Sequence, residues 1–149
     1  MQVMKRAGTM AGAVALAGAV VLTTAPAHAE PVKGPSCGAG FYLQESHKIR
    51  DTGAGRVAGV VYLYYNTSTG YNCVITRRDK DFRTDSIAAT VRRSGDNELS
   101  RDKGYRSYAG PTYLHAKGQC VKFGGQLVGR FPFGNRSKAE WISGWGHCG

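Results

Sequence analysis

The sequence has none of the motifs that mark the common enzyme classes. It contains no GxSxG nucleophile elbow, no HExxH helix and no P-loop. It also has no close pair of cysteines, since the nearest two are Cys120 and Cys148, whereas structural zinc sites commonly use a CxxC-like pair. The sequence therefore predicts no catalytic residue, no metal ligand and no bound cofactor, and we expect a protein that is not an enzyme.

Long apolar runs are also missing. The run near the N-terminus, Ala11–Leu22, is shorter than the roughly 20 residues that cross a bilayer. It follows the basic residues Lys5 and Arg6 and precedes Ala27-His28-Ala29, and these three parts in this order are typical of a secretory signal peptide. We expect cleavage after Ala29, an exported single domain over residues 30–149, and no membrane span in the mature chain.

Acidic residues are scarce, with ten against 20 lysines and arginines. Without Lys5 and Arg6 the exported domain keeps 18 basic and ten acidic side chains, a net charge of +8. A charge of this size attracts polyanions over long range, and an exported location argues against a specific nucleic-acid partner. The expected partners are anionic polymers of the cell envelope, such as anionic glycans or teichoic-type polymers.

All four cysteines, Cys37, Cys73, Cys120 and Cys148, lie in the exported part. An even number in a small exported domain indicates two disulfides, and each closes a loop that stabilises the fold by roughly 3–4 kcal/mol. Loop-closure entropy does not distinguish the three possible pairings. If the first strand runs antiparallel to the second, Cys37 lies beside Cys73. We therefore favour Cys37 with Cys73 and Cys120 with Cys148.

No segment of the exported part shows sustained helical periodicity, whereas short apolar runs recur at the spacing of an all-β sandwich or barrel. The strongest signal is a hairpin in which two strands, Val57–Asn66 and Tyr71–Arg77, flank a polar link that ends at Gly70. Both faces of the first strand are apolar, which predicts a central strand covered on each side. We predict a small antiparallel β-sandwich, with a partly closed barrel as the alternative.

The other elements follow from shorter patterns. Further strands are predicted at Phe41–Ile49, Ser86–Arg92, Tyr105–Ala109, Thr112–Ala116, Gln119–Phe123, Gln126–Phe131 and Glu140–Cys148. Gly110-Pro111 and Gly124-Gly125 are interpreted as breaks between strands, because glycine and proline mark turns. Arg77–Asp85 is a charged link, and Ser94–Gly104, polar throughout, is interpreted as a mobile surface loop.

One set of side chains resembles an acid-base site. Glu45 and His47 are two residues apart, so a strand places them on one face. With Arg50 holding a phosphate, they could serve a small secreted nuclease. The same pattern also describes a solvated polar face on an outer strand, which is the simpler interpretation.

Two other groups have a simple structural interpretation beside a functional one. The aspartates Asp79, Asp81 and Asp85 could ligate calcium, but the loop interleaves basic residues and lacks the glycine and terminal glutamate of an EF-hand. Seven aromatic residues could stack on sugar rings if they met on one exposed face, although aromatics in strands more often pack in the core. These are Tyr62, Tyr64, Tyr71, Tyr105, Tyr108, Trp141 and Trp145.

Six short motifs resemble the spore-associated protein A family, which comprises small exported proteins of filamentous actinobacteria. They are Cys37-Gly38-x-Gly40-Phe41, Val61-Tyr62-Leu63-x-Tyr65-Asn66, Gly70-x-Asn72-Cys73-Val74, Tyr108-Ala109-Gly110-Pro111-x-Tyr113, Ala116-Lys117-Gly118-x-Cys120-Val121 and Gly124-Gly125. The similarity covers nearly the whole exported part and includes all four cysteines. The chain departs from the family pattern at Lys122-Phe123, where an acidic residue and a tryptophan are expected.

The resemblance implies a secreted, non-catalytic protein associated with the spore or cell surface, and it adds spore-coat polymers to the expected anionic partners. The family supplies no catalytic residues. Three alternatives remain at this point. They are a small secreted hydrolase that uses Glu45, His47 and Arg50, a protease inhibitor that presents an exposed loop, and a glycan-binding module.

Overall fold

The computed structural model describes residues 35–104 and 107–149. Within these residues the regular secondary structure consists of β-strands, without a helix. The strands are β1 (Tyr42–Arg50), β2 (Val57–Asn66), β3 (Tyr71–Arg78), β4 (Arg83–Arg93), β5 (Leu99–Gly104), β6 (Tyr108–His115), β7 (Val121–Arg130) and β8 (Ser137–Ile142). The predicted signal peptide and Tyr105 lie outside the described residues. Within the described ranges no helix has the length and apolar character needed to cross a membrane.

The strands form two antiparallel sheets of four strands each. The first sheet has the order β1-β2-β3-β6, and the second has the order β5-β4-β7-β8. The two sheets do not close into a barrel, so the predicted sandwich is confirmed. Both predicted disulfides are present, joining Cys37 to Cys73 and Cys120 to Cys148.

The core lies between the two sheets and is made of alternate residues from both. The first sheet contributes Ile49, Val61, Leu63 and Val74, and the second contributes Ile87, Val91, Phe123 and Leu127. Phe82, in the link between β3 and β4, is also fully buried. Its ring packs edge-on against Phe131, with 4.9 Å between the ring centroids.

The hairpin β2–β3 is confirmed, with β2 in the interior of its sheet between β1 and β3. The outer face of this hairpin is covered only in part, since Val60, Tyr62 and Tyr64 of β2 are half-buried rather than buried as the sequence predicted. Cys37, Cys73 and Ile75 form a small buried cluster there, and Phe41 and Tyr64 pack against it. The chain before β1 therefore supplies the cover, and the first disulfide holds it in place.

The polar segment Ser94–Gly104 is not a loop throughout, and this prediction is wrong. Its second half is the edge strand β5, which pairs with β4. Its inward polar groups have specific partners: Ser100 Oγ lies 2.6 Å from Thr112 Oγ1, and Asp102 Oδ2 accepts a 2.7 Å hydrogen bond from Gly110 N. The inward positions of β5 are therefore polar and hydrogen-bonded rather than apolar. For this reason the sequence lacks the alternation of apolar and polar residues that predicts a strand.

The prediction that Gly110-Pro111 and Gly124-Gly125 separate strands is wrong. A cis peptide bond joins Gly110 to Pro111 inside β6, where the edge position and a register shift in the ladder to β3 accommodate a residue without an N–H group. Gly124 and Gly125 lie inside the continuous strand β7. The predicted strand Glu140–Cys148 is also too long, since β8 ends at Ile142.

Gly125 lies on the inner face of β7, at a point where the opposite sheet is too close to leave room for a side chain. A Cβ atom at this position would lie 2.6 Å from Thr76 Oγ1 and 2.7 Å from Ile49 Cδ1. We expect Gly125→Ala to lower the free energy of unfolding by about 1–3 kcal/mol through overpacking, measured by chemical denaturation.

The matched control is Gly144→Ala, because nothing lies within 4 Å of a Cβ atom at Gly144. A change of less than about 0.5 kcal/mol is expected there. Equal effects of the two substitutions would show that backbone freedom rather than packing sets the cost at Gly125.

Candidate functional site

A groove of about 560 Å³ crosses the outer face of the second sheet. Its floor is low because the central strands contribute the small residues Thr90 and Gly124. A Cβ atom at Gly124 would lie 2.9 Å from Ile142 Cγ1 on the neighbouring strand. The other lining residues are Arg92, Asn97, Leu99, Arg101, Lys122, Phe123, Gly125, Gln126, Glu140, Ile142 and Trp145.

The strand register brings three basic residues to this groove from three strands. Arg92 of β4 is directly opposite Lys122 of β7 and Leu99 of β5. Arg101 of β5 is opposite Thr90, one step further along the same face. Like charges directly opposite each other on a sheet are destabilising. An anion bound between Arg92 and Lys122 would relieve that repulsion.

The acidic side chain of the groove is already paired. Glu140 accepts a hydrogen bond from Gln126 Nε2, and Lys138 Nζ lies 2.6 Å from its Oε2 atom. The hydrogen bond from Lys138 lowers the pKa of Glu140, so this carboxylate is ionised at neutral pH. It does not neutralise Arg92, which makes no hydrogen bond or ion pair with the described part of the chain.

The other two cations are held by weak contacts. Lys122 Nζ lies 4.7 Å from the centre of the Trp145 ring, a cation–π contact that positions the ammonium group beside the groove. Arg101 Nη2 reaches Gln126 Oε1 at 3.5 Å, a long and exposed contact. Both side chains keep donors available for a ligand.

The loop between β4 and β5 forms one rim of the groove and is clamped by Arg93. Arg93 pairs with Asp96 and Glu98, and its Nη1 atom donates a 2.6 Å hydrogen bond to His115 O. The hydrogen bond from Arg93 lowers the pKa of Asp96 to about 2. These contacts hold Asn97 at the rim in a left-handed backbone conformation, with φ of 57°.

The proposed nuclease trio is not assembled around a common partner. Glu45 Oε2 lies 2.6 Å from Nε2 of His147, a residue that the sequence did not link to it. His47 stacks on Trp141, with 3.9 Å between ring centroids. Arg50 donates a hydrogen bond to Gly55 O. The Glu45–His147 contact holds the C-terminal tail against β1, so a structural role explains this pair.

Two of the three aspartates predicted as possible calcium ligands have partners within the protein. Asp79 Oδ1 accepts a hydrogen bond from Asp81 N, and Asp85 pairs with Arg136 at 2.7 Å. Arg78 donates to the carbonyl oxygens of this loop, including that of Phe82. Among residues 35–104 and 107–149, no group of three or more potential ligands could hold a metal ion.

The predicted aromatic residues do not all lie on one face: Tyr62, Tyr64, Tyr71 and Tyr108 share the outer face of the first sheet, whereas Trp141 belongs to β8 of the second. Tyr71 is exposed and in edge contact with His115 at the outer face of the first sheet. Trp145 lies beside the groove of the second sheet. Tyr62, Tyr64 and Trp141 are half-buried. A sugar-stacking surface built from all these rings is therefore not formed by the described residues.

The chain is similar to a known protein. The chain is 38% identical over 131 residues to "Spore-associated protein A" of Streptomyces coelicolor, a match that covers 83% of this chain and 81% of the relative. The chain belongs to the spore-associated protein A family. No family model matches the chain, and no solved structure matches it.

Sequence reasoning missed the groove of this family member. Its three cations, Arg92, Arg101 and Lys122, come from three different strands and belong to no motif. One signal was present, since Leu99, Arg101 and Lys103 alternate with Ser100 and Asp102. That alternation separates basic from small or acidic side chains rather than apolar from polar ones, so it was too weak to predict a strand.

Proposed function

We propose that this protein is a secreted, non-catalytic protein of the spore or cell surface that binds anionic envelope polymers through the basic groove of the second sheet. The observation that carries the proposal is the opposed pair Arg92 and Lys122, with Arg101 beside it and the groove's acid, Glu140, paired elsewhere. The relative's name, spore-associated protein A, supports a location at the spore.

Two features support export. The pattern of basic residues, short apolar run and small-residue cleavage site over Met1–Ala29 is that of a signal peptide. Two disulfides in a small domain are typical of proteins that fold in oxidising compartments. The separate partners of Glu45, His47 and Arg50 support a role without catalysis.

The test is co-sedimentation of the purified protein with isolated cell-envelope fragments of the source organism. We expect binding at low salt and release as the salt concentration rises, because exposed charges are screened. The variant R92Q/K122Q removes two charges worth about 1 kcal/mol each near an anionic surface. Its apparent affinity is expected to fall about 30-fold.

The charge-matched control is K48Q/K117Q, which removes two exposed cations from outside the groove. Its affinity is expected to stay within about threefold of the wild type, because only long-range attraction is lost. Equal losses in the two variants would contradict a groove-specific site. Failure of the wild-type protein to bind the fragments at low salt would overturn the proposed function.

A further inference from the structure

A second pair of like charges lies on the same outer face, at the other end of β4 and β7. Arg83 and Arg130 are cross-strand partners and both are exposed. They line a shallow depression next to Phe133. Within residues 35–104 and 107–149, neither guanidinium makes a hydrogen bond or an ion pair. Two like-charged pairs on the same two strands are unfavourable for folding. Their presence therefore indicates that these side chains interact with another molecule.

Nearby carboxylates do not neutralise this second pair. Asp85, two residues from Arg83, is bound to Arg136 at 2.7 Å. Glu140, on the strand next to β7, is bound to Lys138 at 2.6 Å. Each of these two carboxylates is therefore paired with another cation, and neither neutralises the positive charge of the two like-charged pairs.

The two pairs lie near opposite ends of β7. Lys122 and Arg130 are on the same side of this strand and eight residues apart, which corresponds to about 26 Å at the rise of a β-strand. Between the two pairs, the only charged residue on these two strands outside the core face is Asp85, at the bulge of β4, and its charge is paired with Arg136. The other outward residues are Gly124, Gln126 and Val128 on β7 and Ser86, Ala88 and Thr90 on β4. We name this stretch of β7, with a cation pair near each end, the β7 track.

We propose that the ligand of the groove is a linear polyanion that lies along the β7 track and is held at both ends, by Arg92 and Lys122 at one end and by Arg83 and Arg130 at the other. This inference rests on the proposed function and goes beyond it by specifying the shape of the ligand. Three of the four cations are arginines, whose planar donors match the paired oxygens of phosphate and carboxylate groups. The ligand therefore carries such groups at intervals along a flexible chain.

Binding at two ends makes the affinity depend on ligand length. An anion that reaches one pair gains only a few exposed charge contacts. A chain that spans about 26 Å engages the second pair intramolecularly, and such linkage raises affinity by about 10²–10⁴-fold without any new kind of contact. A compact anion and a long polyanion of the same chemistry are thus distinguished by the protein.

The test compares tripolyphosphate, which is too short for the track, with long-chain polyphosphate, by isothermal titration at low salt. We expect the wild-type protein to bind the long chain at least about 100-fold more tightly. The variants R92Q/K122Q and R83Q/R130Q are each expected to lose at least tenfold in affinity for the long chain and less than threefold for tripolyphosphate. The control K48Q/K117Q is expected to behave as the wild type does.

The outcomes separate this inference from the proposed function. If R83Q/R130Q binds the long chain as tightly as the wild type while R92Q/K122Q does not, the groove acts alone and the two-ended track is overturned. If neither variant loses affinity, both proposals fail. The same titration with polyglutamate of matched length tests whether carboxylate groups are bound as well as phosphate groups. Binding of polyphosphate alone assigns phosphate as the recognised group, and binding of both supports a general polyanion.

Discussion

Replacement of Phe82 by alanine is expected to lower the free energy of unfolding by about 3–5 kcal/mol. The ring is fully buried and packs edge-on against Phe131 between the two sheets. The backbone of Phe82 is held by hydrogen bonds to Asp79 and from Arg78, so the link is poorly able to collapse into the cavity that alanine leaves. Urea denaturation measures the effect as a lower midpoint with an unchanged slope.

Phe133 is the matched control for Phe82. Its side chain is as exposed as it would be in an extended peptide, at 111%. Phe133→Ala removes the same atoms without opening a cavity, so its effect on the free energy of unfolding is expected to stay within about 0.5 kcal/mol. Similar losses at both positions would be incompatible with Phe82 as a core residue.

Removal of the Cys37–Cys73 disulfide is expected to lower the free energy of unfolding by about 3–4 kcal/mol, because the bond closes a loop of 36 residues. Alanine is the suitable replacement at both positions. Cys73 is fully buried beside Ile75, where a serine hydroxyl would have to be buried as well. Denaturation of C37A/C73A under non-reducing conditions measures the effect.

The denaturant slope provides a second readout for this disulfide. The unfolded chain expands when the cross-link is removed, so the slope is expected to increase. The double variant C120A/C148A, which opens a loop of 28 residues, is expected to lose a similar amount. A loss below about 1 kcal/mol in C37A/C73A would mean that the cover over the β2–β3 hairpin is held by packing of Phe41 and Tyr64 rather than by the bond.

The hairpin and the disulfide pairing were predictable because their signals are local. Two apolar runs separated by a short polar link can pair in few ways, and Gly70 supports the positive φ of 73° that the turn requires. Once β1 is antiparallel to β2, Cys37 must lie near Cys73. No knowledge of the second sheet is needed for either conclusion.

The same local rules failed at Gly124-Gly125 and at β5. Paired glycines usually mark a turn, but here the approach of Thr76 and Ile49 from the opposite sheet excludes a side chain at Gly125 inside a strand. The strand β5 is polar because its inward groups bond to β6. In both cases the deciding neighbour is far away in the chain, so the local pattern carries no information about it.

The sequence by itself determined the all-β class, the β2–β3 hairpin, the two disulfides, the excess of positive charge and the family, since each depends on composition, short motifs or counting. Only the tertiary structure decided where the charge is concentrated. The register of β4 against β5 and β7 places Arg92 beside Lys122 and near Arg101, and it places Arg83 beside Arg130. Cross-strand register depends on how two sheets pack around a shared core, and a shift of one residue would move every one of these side chains to the other face.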